Sequence, residues 1–273
     1  MGNLRAVLSV ALLSLAACGG GGSDKPDAPL IHVDAAIDAI PDSPPPPDAP
    51  SYDFSCLNNT PPTNIATTVA VSGTAQEVVI VNMAPSIQPN GGVAIKACKG
   101  NCAGPNDLGT TTSTQGTGAY STAALTTGGT ALDGYLDATK TGDRRTLVYP
   151  PSPLAQSQSN VPVLQFNNGA FAALNSFINQ TDTKGLVAIV VTDCMNMPIM
   201  GATVSAKQNG TAVGDAPFDL GAVAAQAAGS YLIANVPVGA TEVGATYMGK
   251  TLRAHTVLSV AQATTTTGVR PGF

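Results

Sequence analysis

Cysteine and histidine side chains can bind metals, and cysteine can also form disulfides or carry covalent modifications. The 273 residues contain five cysteines and two histidines: Cys18, Cys56, Cys98, Cys102, Cys194, His32 and His255. Structural metal sites usually take four Cys or His ligands, and only Cys98 and Cys102 lie close together along the chain. The sequence therefore predicts no metal site and no cofactor. Disulfide bonding or covalent modification remains as the chemistry of the cysteines.

No catalytic set accompanies the histidines. A histidine base needs a nucleophile and an orienting acid, and nothing near His255 supplies either. Alternation along 252–258 predicts that Arg253 and His255 face solvent. Phosphate-binding, dinucleotide-binding and nucleophile-elbow motifs are all absent from the sequence. We therefore predict no catalytic residues, and a hydrolase or other enzyme with a site assembled at the domain interface is the alternative.

The composition indicates short strands and tight turns. The chain is 44% hydrophobic and only 11% charged, with 29 Gly and 21 Pro, and Thr, Val and Gly dominate over the strong helix formers. A formal net charge of −5 excludes the basic surface that nucleic-acid binding requires. The sequence therefore predicts an all-β protein without a nucleic-acid partner.

The N-terminus has the pattern of an export signal followed by an anchor. Arg5 precedes the apolar segment 6–15, which is too short to span a bilayer. The next residues, Leu15-Ala16-Ala17-Cys18, resemble the lipobox of bacterial lipoproteins. That resemblance implies cleavage after residue 17 and a lipid on Cys18, which makes the membrane a partner. Gly19 stands where lipoproteins retained at the inner membrane typically carry Asp, so the resemblance implies an outer-membrane lipoprotein, periplasmic or surface-exposed.

Four cysteines remain once Cys18 is lipidated, and an even number in an exported protein predicts two disulfides. Three connectivities are possible. The short loop from Cys98 to Cys102, which contains Gly100, favours that pair. Cys56 would then pair with Cys194, by elimination alone.

The segment 18–50 is predicted to be a disordered tether. It joins a Gly run to a Pro- and Asp-rich segment that ends in four consecutive prolines at 44–47, and it has too few apolar residues to form a core. Six of the chain's seventeen acidic residues lie here, whereas residues 51–273 are almost neutral. The net charge therefore belongs to the tether.

After the tether, short apolar segments alternate with Gly-, Asn- and Pro-rich turns, as in β-sandwiches. The second half echoes the first: residues 92–97 match 201–206, 118–120 match 229–231, and 138–142 match 245–249. Between the halves, Phe171, Leu174, Phe177 and Ile178 recur at helical spacing after Asn168, a candidate cap. We therefore expect two β units joined by a short helix.

The second unit resembles the carboxypeptidase regulatory-like module. Its landmarks occur in order: Val190-Val191-Thr192-Asp193, Pro198-Ile199-Met200-Gly201-Ala202-Thr203-Val204, Gly229-Ser230-Tyr231 and Val236-Pro237-Val238-Gly239. The resemblance covers about 184–262 and implies a transthyretin-like sandwich of seven strands. The first unit, about 64–150, lacks the Pro-x-x-Gly-Ala turn and matches less well. The module accompanies a catalytic domain in some carboxypeptidases, but no segment here offers that domain's zinc ligands.

Together these patterns predict two tandem transthyretin-like or Ig-like β-sandwich domains with a short connecting helix, preceded by a disordered tether. The predicted parts are 1–17 signal peptide, 18–50 lipid-anchored tether, 51–153 first sandwich, 154–183 connector and 184–273 second sandwich. The expected function is non-catalytic: a lipid-anchored cell-envelope protein acting in binding, adhesion or envelope scaffolding. Its ligand would be a protein or a carbohydrate. The absence of Trp and a content of only 4% aromatic residues argue against sugar binding on aromatic platforms, for which only exposed tyrosines would remain, at Tyr120, Tyr135, Tyr231 and Tyr247.

Overall fold

A computed structural model of the chain describes residues 51–81, 84–222 and 227–273. The signal peptide, the tether and Cys18 lie outside the described residues, so those predictions stay predictions. Residues Asp53–Phe273 form one compact unit. No helix in the described ranges has the length and apolar character needed to cross a membrane.

The described residues are mostly β, which confirms the predicted fold class. The first half contains β1 Thr68–Val69, β2 Val71–Val81, β3 Ala84–Pro89, β4 Ala94–Cys98, β5 Asp107–Thr112, β6 Ala119–Ser121, β7 Leu125–Thr126, β8 Tyr135–Thr139, β9 Arg145–Tyr149 and β10 Gln158–Phe166. Then follow α1 Asn168–Ile178, β11 Gly185–Val191, β12 Thr203–Gln208, β13 Thr211–Ala212, β14 Phe218–Asp219, β15 Ser230–Val236, β16 Gly239–Tyr247, β17 Lys250–Thr251, β18 His255–Ser259 and β19 Ala263–Val269.

Strand pairing reproduces the internal echo seen in the sequence. In the first half, β4 pairs antiparallel with β8 and places Ile95 opposite Ala138. In the second half, β12 pairs antiparallel with β16 and places Val204 opposite Ala245. Ile95 and Val204 occupy the same place in the two echoed segments. The halves are therefore similar in strand register as well as in sequence.

Each half ends in a strand that runs parallel to the first long strand of that half. β10 is parallel to β2, and β19 is parallel to β11. The sequence predicts neither strand, because residues 154–183 are assigned to a connector and the resemblance to the second module ends at about 262. At β19 the difference has a physical reason. Threonine is β-branched and fits a central strand, and Thr264 and Thr265 are buried in the middle of the sheet.

One eight-stranded sheet runs through both halves in the order β14-β15-β11-β19-β9-β8-β4-β5. The halves join at the parallel pair β9 and β19, where Tyr149 lies opposite Thr267. The domain boundaries at 153 and 184 stay a prediction. The structure adds that backbone hydrogen bonding continues across them, and that the segment 154–183 contributes β10 to the first half as well as α1.

A second sheet covers each half of the long sheet. In the first half its order is β10-β2-β3, with β6 on β2, and Ala75 and Val163 from this layer pack in one core with Ile95 and Leu136 of the long sheet. In the second half the order is β13-β12-β16-β17, with β18 on β16, and β12 contacts β15 of the long sheet. Each half is thus a two-layer sandwich around its own apolar interior.

The helix α1 lies where the sequence predicts it, but its cap is one residue earlier. The Asn167 side chain, not that of Asn168, accepts a hydrogen bond from Ala170 N at 2.8 Å, as an N-cap does. The helix ends at Asn179, which has a left-handed conformation with φ 49°. Ile178 is buried against Leu186 and Leu232 of the second half. The helix therefore covers this part of the sheet with its apolar face.

Candidate functional site

The four described cysteines form two disulfides, Cys56–Cys194 and Cys98–Cys102. These are the pairs that the sequence reading favoured. The Cys98–Cys102 bond joins positions four residues apart at the end of β4, whereas Cys56–Cys194 joins positions 138 residues apart. The second bond therefore fixes the N-terminal segment of the compact unit to the loop that follows β11.

Asp193 organises that loop. Its carboxylate is almost fully buried and accepts hydrogen bonds from Met195 N at 2.9 Å and Met197 N at 2.8 Å through Oδ1. Oδ2 accepts from Asp53 N at 2.9 Å. Three backbone donors satisfy one buried carboxylate, which holds the side chains of Met195 and Met197 outward, 68% and 58% exposed. The result is a small exposed apolar surface of methionines.

An apolar cleft of about 410 Å³ opens into the first sandwich. Its walls come from both layers and from the loops at the sandwich end. The lining includes the aliphatic side chains of Val71, Leu125, Leu132, Leu136, Val148 and Val161. Its mouth is shared with the second half, because Val190 and Asn196 also line it. A cleft of this size and apolar character can hold a small ligand, and apolar cavities favour apolar guests over water.

Arg270 is the cation at this cleft. Its guanidinium donates to Gly272 O at 3.2 Å and to Ser152 Oγ at 3.3 Å, and burial lowers the pKa of the Arg270 side chain. The ion pairs found within the described ranges join Lys96 to Asp107 and Arg145 to Asp137. Arg270 is therefore held by neutral acceptors, which leaves its charge available to an anionic group.

His255 is half-buried, contrary to the expectation that it faces solvent. The alternation changes phase because residues 252–254 are not part of a strand, so the inward residues of β18 are Val257 and Ser259. His255 Nε2 lies 2.7 Å from Thr267 Oγ1, and His255 Nδ1 is buried without a hydrogen-bond partner. Burial, with a smaller contribution from the Arg253 charge, lowers the pKa of His255 to about 4. The ring is thus neutral at pH 7, and it lacks the orienting acid of a triad.

The tyrosines do not form a sugar-binding platform. Tyr120, Tyr135 and Tyr231 are buried, and Tyr120 donates its hydroxyl to Val161 O at 2.9 Å. Tyr247 is half-buried and stacks on Phe54 with ring centroids 6.1 Å apart. Carbohydrate binding by exposed rings, one of the two ligand classes expected from the sequence, therefore loses its structural support.

The described residues contain no group of three or more His, Cys, Asp or Glu side chains placed to hold a metal ion. Asp137 is held by Arg145 through two hydrogen bonds of 2.7 and 2.8 Å. This bidentate pair joins neighbouring strands β8 and β9.

Sequence reasoning missed the cleft. Its walls combine residues as far apart as Val71 and Arg270, and Val161 lies on a strand that reads as a connector. A local signal was nevertheless present, because the consecutive apolar residues Val161, Pro162, Val163 and Leu164 are unusual for a polar linker.

Neither a protein-family model nor a curated protein matches the chain. Among solved structures, the shaft pilin SpaA from Lactobacillus rhamnosus GG is 14% identical, covering 76% of this chain and 99% of the pilin, with a TM-score of 0.23. A streptococcal ancillary pilin is 12% identical, covering 75% and 62%, with a TM-score of 0.22. A fimbrial protein from Bacteroides ovatus is 11% identical, covering 77% and 50%, with a TM-score of 0.19. Similarity at this level assigns no function to the chain.

Proposed function

We propose that the chain is a non-catalytic, lipid-anchored protein of the cell envelope that binds an amphipathic ligand in the cleft of its first sandwich. The anchor is the lipid on Cys18, the predicted location is the outer membrane, and residues 18–50 hold the β unit away from the bilayer. The resemblance to the carboxypeptidase regulatory-like module stays a prediction from the sequence, and it implies a binding or scaffolding unit instead of a catalytic one. The observation that carries the binding role is the aliphatic cleft with Arg270 in its wall.

The chemistry of the cleft selects the ligand class. Aliphatic walls stabilise an alkyl chain in proportion to the area removed from water, about 25 cal/mol per Å². The Arg270 guanidinium, which has neutral partners on the protein, adds a charge-assisted hydrogen bond to a carboxylate or another anionic head group. Asn196 lines the cleft, and its chain neighbours Met195 and Met197 have exposed, adaptable apolar side chains.

Filling the cleft is expected to weaken binding of an alkyl carboxylate. With dodecanoate as the probe, Val161→Phe should weaken binding at least tenfold, because the larger ring occupies the volume that the chain needs. Arg270→Gln should weaken binding about tenfold, which corresponds to about 1.4 kcal/mol, and should leave binding of the neutral analogue dodecanol unchanged. Isothermal titration calorimetry measures each affinity.

Val238→Phe is the matched control, because Val238 is exposed and lies outside the cleft. It should bind dodecanoate as the unchanged protein does. Equal affinities for the Val161→Phe and Val238→Phe proteins would contradict binding in the cleft. Equal loss of dodecanoate and dodecanol on Arg270→Gln would contradict the role of the cation.

A further inference from the structure

A buried polar cluster lies in the first sandwich, apart from the cleft. It consists of Asn90 in the turn after β3, Lys140 and Asp143 in the turn between β8 and β9, and Gln165 on β10. Asn90 and Gln165 are both fully buried, with 0% exposure, while Lys140 and Asp143 are half-buried. A buried carboxamide thus shares one small site with an amine and a carboxylate.

The amine and the carboxylate contact opposite ends of the same carboxamide. Lys140 Nζ donates to Asn90 Oδ1. Asn90 Nδ2 donates to Asp143 Oδ2 at 2.7 Å and to Gln165 Oε1 at 3.2 Å. The potential nucleophile is therefore beside the carbonyl group of Asn90, and a carboxylate that can carry protons is beside the nitrogen that would leave.

The backbone fixes this geometry on both sides. Asn90 N donates to Ala75 O at 2.9 Å, and Asn90 O accepts from Ser113 Oγ at 2.7 Å. Across the site, Asp143 N donates to Lys140 O at 3.2 Å, so both side chains extend from one tight turn. Groups held in contact by a rigid frame react as though at very high effective concentration, and the entropy of bringing them together is already lost on folding.

We propose that Lys140 and Asn90 form an intramolecular amide bond, with Asp143 as the acid–base group. Lys140 Nζ loses one proton to solvent and attacks Asn90 Cγ, which forms the new C–N bond. Asp143, which is hydrogen-bonded to Asn90 Nδ2, then takes the second proton of Nζ and passes it to Nδ2. The Cγ–Nδ2 bond breaks, and Nδ2 leaves as ammonia. One amide replaces another, so the step needs no oxidant, reductant or activated co-reactant.

The bond would join the turn after β3 to the turn between β8 and β9, and thereby link the two layers of the first sandwich. β3 belongs to the covering sheet, whereas β8 and β9 belong to the long sheet. Unlike the disulfides, this amide link between the layers would remain intact after reduction.

Peptide mass spectrometry of the full-length, reduced protein tests the proposal. The unchanged protein should yield a branched peptide that contains both Asn90 and Lys140, lighter than its two parts together by the mass of one ammonia, about 17 Da. The branched peptide should be lost in Lys140→Arg and in Asp143→Asn. It should persist in Lys207→Arg, which replaces an exposed lysine on β12.

A competing reaction has the same mass change and is separated by the same experiment. Asn90 precedes Gly91, and an Asn-Gly pair can lose ammonia by closing a succinimide on its own backbone. That product is linear and survives Lys140→Arg. Linear peptides in the unchanged protein, with or without the mass loss, would overturn the proposal.

Discussion

Replacing both Cys56 and Cys194 by serine is expected to lower the free energy of unfolding by about 5 kcal/mol. The bond joins residues 138 positions apart, so its loss restores a large conformational freedom to the unfolded chain. The effect should be a lower midpoint of urea unfolding at pH 7, measured on the detergent-solubilised protein. The disulfide lies beside a backbone hydrogen bond between the same two segments, in which Cys194 N donates to Asp53 O at 2.9 Å.

The second disulfide is the internal control. Cys98→Ser with Cys102→Ser opens a loop that spans four positions, for which the same relation gives about 2 kcal/mol. The expected difference between the two double variants is therefore about 3 kcal/mol. Equal losses would show that constraint of the unfolded chain is not how the Cys56–Cys194 bond stabilises the protein.

Acidification from pH 7 to pH 4 is expected to remove about 3 kcal/mol of stability through His255 alone. Burial holds the pKa of His255 at about 4 in the folded protein, below its usual value of 6.5. Between these two values the unfolded chain binds a proton that the folded chain does not. The contribution is therefore fully present above about pH 6.5 and is lost as the pH falls towards 4. The nearby Arg253 charge acts in the same direction.

His255→Gln isolates this effect, because glutamine can keep the hydrogen bond to Thr267 and does not titrate. Urea unfolding at several pH values gives the free energy of unfolding as a function of pH for each protein. The two curves should diverge below pH 6.5, with the His255→Gln protein losing less stability. Carboxylates titrate equally in both proteins, so they cancel in the difference. Parallel curves would contradict the buried, neutral state of His255.

The sequence predicts the antiparallel strands of the fold well and the parallel ones poorly. Ile95 and Val204 alternate with polar residues on strands whose partners lie within the same half, so local periodicity identifies them. β10 and β19 form these parallel pairs with strands about 90 and about 80 residues away, respectively, and β19 begins with Ala263 and four threonines. The burial that makes this segment a central strand comes from tertiary pairing, which local pattern does not contain.

The functional features likewise divide into those that local sequence predicts and those that depend on tertiary contacts. Cysteine counting and loop length favour the pairs found in the structure, because those arguments depend on covalent reach alone. The cleft, the neutral His255 and the cluster around Asn90 depend instead on which residues meet across layers. Asn90 reads as an ordinary turn residue before two glycines, and only the folded chain brings Lys140 to its side chain.

Mass spectrometry of the mature N-terminal peptide tests the central claim, that this is a lipid-anchored envelope protein, most directly. The protein is isolated from the membrane fraction of its host and digested, and the first peptide is identified. The account predicts that the chain begins at Cys18 with a diacylglyceryl group on its sulfur, and that Cys18→Ser removes both the lipid and the membrane attachment. A mature chain with an unmodified Cys18, or membrane attachment that survives Cys18→Ser, would contradict it.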